Sequence, residues 1–122
     1  MSDFDSHDEH IAQFVPRSYA QSLTLERVAF TKDELQTILN LYGRMVASGD
    51  WKDYAMDFLS EKAVFSVFRR ASEVPLYRIE KTPKLSTKQG AFSITAATGL
   101  ILRRGNDLMR VLNVLEKKMT VV

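Results

Sequence analysis

The chain has no cysteine among its 122 residues. This absence excludes disulfide bonds, zinc–thiolate and iron–sulfur sites, and any thiol nucleophile within this sequence. The opening MSDFDSHDEH has neither a basic n-region nor an apolar h-region, so we expect no secretory signal. Apolar runs are also lacking, since none approaches the roughly 18 residues of a membrane span. We therefore expect a cytoplasmic protein without a membrane partner.

Histidine is nearly absent too, because His7 and His10 are the two in the sequence. The motif H-D-E-H has the spacing of a metal-binding pair, but a third ligand of matching type is missing, and we predict no metal site. No G-x-S-x-G, G-x-G-x-x-G or P-loop pattern occurs. Acid–base and covalent catalysis lose their usual residues, so an enzyme is the less favoured interpretation. We predict no catalytic residue and no cofactor.

Charge is distributed unevenly along a chain whose net charge is only +2. Residues 1–60 carry five basic and ten acidic residues, whereas residues 61–122 carry twelve basic and five acidic residues. This asymmetry favours an anionic partner for the second half. Pairing of the charges within the fold, or between two copies of it, is the alternative.

The periodicity predicts one α+β domain over residues 23–122, preceded by a disordered acidic arm over residues 1–22. Thr31 and Glu34 form a T-x-x-E capping box that starts a helix over residues 31–48, with Gly49 as its stop. A second helix is predicted at the C-terminus, with Asn106 as its N-cap.

Short apolar segments between these helices predict the strands. Residues 51–59 fit either a helix or a strand, and the compact turn that follows favours the strand. The other predicted strands are residues 23–30, 63–70 and 76–81, and a strand or strand pair over 91–104 that bends at Gly99. Consecutive short strands with tight turns indicate an antiparallel sheet of about five strands packed on two helices in two layers, with one helix after the first strand and one at the C-terminus.

Four stretches carry a resemblance to a known family: LNLYGRMVASGDWKDYAMDFL, AVFSVFRRASEVPLYRIEKTPKL, KQGAFS and GLILRRG. Together they resemble a bacterial domain-of-unknown-function family numbered 2794, over about residues 25–122. The resemblance implies a small cytoplasmic bacterial protein. It implies no activity, cofactor or site residue, so functional predictions depend on the residues themselves.

A basic cluster around the predicted strand ends is the first candidate site. Its members are Arg69, Arg70, Arg78, Lys81, Lys84, Lys88, Arg103 and Arg104, with Tyr77 among them. Cations beside an aromatic ring can bind phosphates and stack a base, which favours nucleic acid or another polyanion as partner. Glu61, Glu73 and Glu80 lie nearby in the sequence, and a solvated sheet edge with internal ion pairs is the alternative.

The apolar strand AVFSVF suggests a second kind of site. If the helices cover one sheet face, the other would show Phe65 or Phe68, and Val64 or Val67. That face would then be covered by a protein partner, a second subunit or the N-terminal arm. We therefore predict a non-catalytic protein-interaction module that binds itself or a partner through a sheet face. A third interpretation is a small-molecule site built from Asp53, Asp57, Arg78 and Tyr77.

Overall fold

A computed structural model describes residues 27–70 and 74–120, with side chains of the last helix described as far as Glu116. The predicted α+β class is confirmed: five antiparallel strands form one sheet in the order β1-β2-β3-β4-β5, with one helix before it and one after it. A short 3-10 helix, Pro83–Leu85, follows β3. The elements are α1 (Lys32–Ala47), β1 (Asp53–Phe58), β2 (Ala63–Phe68), β3 (Tyr77–Lys81), β4 (Phe92–Ala96), β5 (Ile101–Gly105) and α2 (Leu108–Thr120).

Helix α1 begins and ends where the sequence indicates. The Glu34 backbone N–H donates to Thr31 Oγ1 at 3.1 Å, and the Thr31 backbone N–H donates to Glu34 Oε1 at 2.8 Å. This reciprocal capping box satisfies two N–H groups that the helix itself leaves unbonded. Gly49, with φ of 87°, follows the C-cap Ser48 in the left-handed conformation that glycine adopts readily.

The strand interpretation of residues 51–59 is confirmed, because β1 pairs with β2 across a tight turn in which the Leu59 N–H donates to the Lys62 carbonyl at 2.9 Å. The strand predicted over residues 23–30 is wrong where it can be checked. Residues 27–30 have no strand, although the Val28 N–H donates to the Leu59 carbonyl at 2.8 Å. Residues 23–26 lie outside the described residues, as do the predicted arm and the His7–His10 motif.

Both helices pack on one face of the sheet. Ile38 and Leu41 of α1, and Leu112 and Leu115 of α2, join the core residues Phe65, Val67, Ile79, Phe92 and Ile94 of the strands. The opposite side, called the second face below, has two full cross-strand rows beside the pair Asp53–Phe68 at the end of β2. The two rows are Asp57-Val64-Glu80-Ser93-Arg104 and Ala55-Ser66-Arg78-Thr95-Ile101.

The start of α2 differs from the prediction by one residue. Asp107, and not Asn106, precedes the helix, and its Oδ1 accepts a hydrogen bond from the Arg110 N–H at 3.4 Å. The Asn106 side chain has another role: it accepts from the Ala91 N–H and donates to the Ser86 carbonyl, both at 2.8 Å. Asn106 thus ties the loop after β3 to the end of β5, which leaves the cap to Asp107.

Candidate functional site

The predicted basic cluster is divided between the two ends of the sheet. Arg69 and Arg70 follow β2, whereas Lys81 closes β3 and Lys84 and Lys88 lie in the loop beyond it. Because β2 and β3 are antiparallel, the end of one lies beside the start of the other. Residues close in sequence are therefore separated by the length of a strand.

Several of these cations form ion pairs within the fold. Lys81 Nζ lies 2.8 Å from Glu34 Oε1, Lys84 Nζ lies 3.6 Å from Glu61 Oε2, and Arg78 Nε lies 3.4 Å from Glu80 Oε2. Lys81 also donates to the Ala29 carbonyl at 2.9 Å, which ties the end of β3 to the segment before α1. Each of these three cations therefore has a carboxylate neighbour within the fold.

Arg103 and Arg104 lie on β5 and line a cavity of about 460 Å³ between β5 and the start of α2. Arg104 Nη1 also donates to the Gly90 carbonyl at 3.3 Å, in the loop that carries Lys88. The lining residues of the cavity are Arg103, Arg104, Gly105, Asn106, Asp107, Arg110 and Val111, which we call the arginine groove. Asp107 is the one acid among them. Arg110 was not predicted from the sequence, because its position beside Arg103 depends on how α2 packs against β5. In the structure the Arg103 Nη1 donates to the Arg110 carbonyl at 3.2 Å.

The residues predicted for an apolar interaction face lie on opposite sides of the sheet. Phe65 and Val67 are 0% exposed in the core beneath the helices, so they offer no surface to a partner. Phe68, at the end of β2, is half-buried. Of the three predicted residues, Phe68 is the one that lies on the second face with part of its surface exposed.

The four residues of the small-molecule interpretation do not converge. Asp53 and Asp57 are exposed on edge strand β1, and Arg78 lies on β3, two strands away. Tyr77 is half-buried and packs against the core under the helices. Among the described residues, no group of three or more His, Cys, Asp or Glu side chains is placed to hold a metal ion.

Strand β1 is an edge strand of the sheet, and part of its outer backbone has local partners: the Tyr54 N–H donates to Asp53 Oδ1 at 2.8 Å. Since the Leu59 N–H is directed at β2, alternation along an antiparallel strand directs the backbone groups of Asp57 and Ala55 the same way. The groups of Tyr54, Met56 and Phe58 then point outward, and we call this the β1 edge. Arg27 Nη1 reaches the Phe58 carbonyl at 3.0 Å from outside, as this assignment requires. No strand within the described ranges pairs with the β1 edge.

Aromatic side chains flank the β1 edge on the side of the helices. Tyr54 and Phe58 are 40% and 41% exposed, and Leu59 beyond them is 42% exposed. The Tyr42 ring of α1 stands edge-on to Tyr54, with centroids 5.0 Å apart. Partial burial raises the pKa of Tyr42 above its ordinary value of 10.0, and the charges of Asp53 and Tyr54 add to the rise. An incoming strand would meet this aromatic surface and the backbone groups of Met56, and it would displace Asp53 Oδ1 from the Tyr54 N–H and Arg27 from the Phe58 carbonyl.

A second, smaller cavity lies between the two helices. This cavity measures about 100 Å³ and lies between Thr37, Asn40 and Leu41 of α1 and Met109 and Leu112 of α2. The Arg44–Glu116 ion pair, 2.7 Å long, closes one side. Its volume falls well below the several hundred Å³ typical of small-molecule sites.

Neither described helix combines the length and apolarity needed to cross a bilayer.

The fold defines a two-layer α+β domain with a five-stranded antiparallel meander, an exposed edge strand and an arginine-lined groove. Comparison with known families identifies the family of this chain. Residues 28–112 match the family model described as "Protein of unknown function (DUF2794)". The chain belongs to this family, as the sequence resemblance indicated. No curated protein and no solved structure matches it significantly.

Proposed function

We propose that this protein is a non-catalytic interaction module that associates with a second copy of itself by pairing β1 with β1. The unpaired β1 edge beside half-exposed aromatic rings is the observation that carries the proposal. An edge strand with free N–H and carbonyl groups is a template for another strand. The partner is another copy because the sequence of β1 is complementary to itself in one register.

That register places Met56 opposite Met56 of the second copy. Outward-pointing residues then face one another, so that Tyr54 lies opposite Phe58 of the second copy and Phe58 opposite its Tyr54. Directly opposed residues of an antiparallel pair share a face, which puts the helices of both copies on the same side of one ten-stranded sheet. Two aromatic cross-strand pairs of this kind each contribute roughly 0.2–1 kcal/mol relative to alanine pairs.

The charges on β1 restrict the pairing to this register. Asp57 lies opposite Ala55 of the second copy, and Asp53 lies opposite Leu59, so no like charges are directly opposed. Carboxylates on an edge strand disfavour unspecific pairing. The same carboxylates therefore act against aggregation while leaving one register open.

Sedimentation velocity of the full chain and a matched pair of variants at Met56 test the proposal. Met56→Pro removes the outward N–H, which an edge strand tolerates because that side faces solvent. Met56→Ala also removes the half-buried side chain but keeps the N–H. We expect the wild type and Met56→Ala to shift from one chain to two with rising concentration, and Met56→Pro to remain a single chain.

Circular dichroism checks that each variant is folded. If Met56→Pro is not, Phe58→Lys supplies the test, since it places a cation opposite Tyr54 of the second copy at a position already 41% exposed. A wild type that stays a single chain at every concentration contradicts the proposal. Equal association of Met56→Pro and Met56→Ala contradicts it as well.

The arginine groove supports a second candidate, the binding of a phosphate-bearing polyanion. Three arginine residues line one cavity whose single acidic residue is Asp107, although the Arg104 guanidinium also donates to the Gly90 carbonyl at 3.3 Å. The side chains of Arg110 and Asp107 are 82% and 59% exposed, so their ion pair at 3.7 Å is weak. A phosphate could therefore replace Asp107 as the partner of Arg110. Guanidinium groups suit phosphate because they donate two parallel hydrogen bonds.

Fluorescence anisotropy of labelled single-stranded RNA, titrated at several salt concentrations, tests this second candidate. The double substitution Arg103→Gln and Arg110→Gln is compared with Lys84→Gln and Lys88→Gln, which removes the same charge from the loop after β3. Loss of affinity in the first variant alone, with a salt slope smaller by about 0.7 per lost contact, supports the groove. Equal affinity of the two variants contradicts it.

A further inference from the structure

The second face is more buried than a two-layer fold accounts for. Five of its residues are buried: Val64 at 6% exposure, Ser66 at 6%, Glu80 at 8%, Ser93 at 1% and Thr95 at 7%. Both helices lie on the opposite side with the core. Antiparallel sheets of this kind usually present such a face to water. The described ranges contain no second sheet that could cover it.

The chemistry of the second face is that of a contact surface. Glu80 in its centre has a side chain only 11% exposed, and it bonds to Lys62 at 3.2 Å and to Arg78 at 3.4 Å. The neighbouring Ser93 hydroxyl is buried without a hydrogen-bond partner in the described part of the chain. A buried hydroxyl of this kind is unfavourable unless a further group satisfies it.

Cations surround this centre. Lys62 and Arg78 have side chains 41% and 38% exposed, and Arg104 lies in the same row as Glu80. With Asp57 at the other end of that row, three cations face two carboxylates, which leaves the second face with a net positive charge. Val64 adds an apolar element to the same row. A covering segment should therefore combine carboxylates with apolar side chains.

Residues 1–26 have this composition. They contain five carboxylates and one arginine, together with Phe4, Ile11, Phe14, Val15, Tyr19, Leu23 and Leu25. The segment leads into Arg27 and Val28, which are bonded to Phe58 and Leu59 beside the second face. Extended, 26 residues span up to about 85 Å. Five strands about 4.8 Å apart span only roughly 20 Å.

We propose that residues 1–26 fold back over the second face and cover it, with carboxylates near Lys62, Arg78 and Arg104. The second face and the β1 edge are separate surfaces, although Arg27, where the segment ends, bonds the Phe58 carbonyl at one end of the β1 edge.

Paramagnetic relaxation enhancement in the full chain tests this, because the absence of cysteine allows one nitroxide at one introduced position. Ile101→Cys places the label on the second face, where Ile101 is 49% exposed opposite Thr95. Met109→Cys, at a residue 62% exposed on α2, is the matched control. We expect the amide signals of residues 1–26 to broaden strongly with the first label and weakly with the second.

Equal broadening from both labels, or none from Ile101→Cys, overturns the proposal. A mixture of spin-labelled chains without ¹⁵N and ¹⁵N-labelled chains without a spin label distinguishes coverage by the same chain from coverage by a second copy. Broadening in this mixture would show that a second copy covers the face, which also overturns the proposal. Asp3→Asn, Asp5→Asn, Asp8→Asn and Glu9→Gln together test the charges. We expect them to reduce the broadening, as added salt does for the wild type, and unchanged broadening contradicts the ionic contacts.

Discussion

Tyr54 of the edge strand stacks on Phe65 of the core, with ring centroids 4.9 Å apart and planes 3° from parallel. One face of the Tyr54 ring is thus held against the domain while the side chain remains 40% exposed. The contact fixes an aromatic group beside the β1 edge before any partner arrives. Ordering it in advance lowers the entropic cost of association.

The stacking predicts a stability difference between two substitutions. Tyr54→Leu removes the aromatic pair and should lower the free energy of unfolding by about 1 kcal/mol, within the range of such pairs. Tyr54→Phe keeps the ring and should change it by no more than a few tenths. Urea denaturation followed by circular dichroism measures both. Equal losses would show that the stacking contributes nothing.

A close approach between two glycines predicts a much larger effect. A Cβ on Gly90 would lie 2.5 Å from Gly105 Cα, and the Gly90 φ is 109°. Gly99 shares a positive φ, 95°, but a Cβ there meets nothing within 4 Å. Gly99→Ala should therefore cost only the conformational strain of about 1–2 kcal/mol. Gly90→Ala should cost clearly more in the same urea experiment, and similar costs would contradict the close contact.

The helices and most strands could be predicted because local signals decide them. The T-x-x-E box and the stripe that includes Ile38 start and sustain α1 whatever its neighbours are. The ambiguous residues 51–59 became a strand because the next strand offered a partner across a short turn. Residues 27–30 show the limit of such reasoning: β-prone composition forms no strand without hydrogen-bond pairing.

The sites were harder to predict because they depend on register. Phe65 lies on the core face because it pairs with Ile79 in the register of β2 and β3. The residue type of Phe65 alone does not predict this face. The basic residues formed one cluster in sequence, but antiparallel pairing sent them to opposite ends of the sheet. Arg110 entered the arginine groove through the packing of α2 against β5, a long-range contact.

Tyr42 predicts a loss of stability at alkaline pH. Because burial raises its pKa in the folded state, the phenol of the unfolded chain ionises first as pH rises past 10.0. The contribution of the neutral Tyr42 phenol to the free energy of unfolding is fully present below pH 10 and is lost as pH rises through the folded-state pKa. Tyr42→Phe should lessen the alkaline fall in unfolding free energy and remove one tyrosinate from the alkaline end of an absorbance titration. An unchanged pH profile would contradict the shift.

The proposed pairing predicts that salt strengthens association. The Met56-centred register brings Asp53 and Asp57 of both copies onto one face, where their repulsion is screened by ions. Asp57→Asn should therefore tighten the dimer at low salt and reduce its salt dependence. Asp33→Asn, which removes the same charge from the first turn of α1, is the control. Association that weakens with added salt would contradict this register.

Amide hydrogen exchange of two adjacent residues tests the central proposal most directly. The Asp57 N–H is directed at β2 and the Met56 N–H at the β1 edge, so NMR of the full chain compares an internal reference with the proposed contact. We predict that protection of Met56 rises with protein concentration while that of Asp57 stays constant. A Met56 amide whose exchange rate is the same at every concentration would contradict pairing through β1.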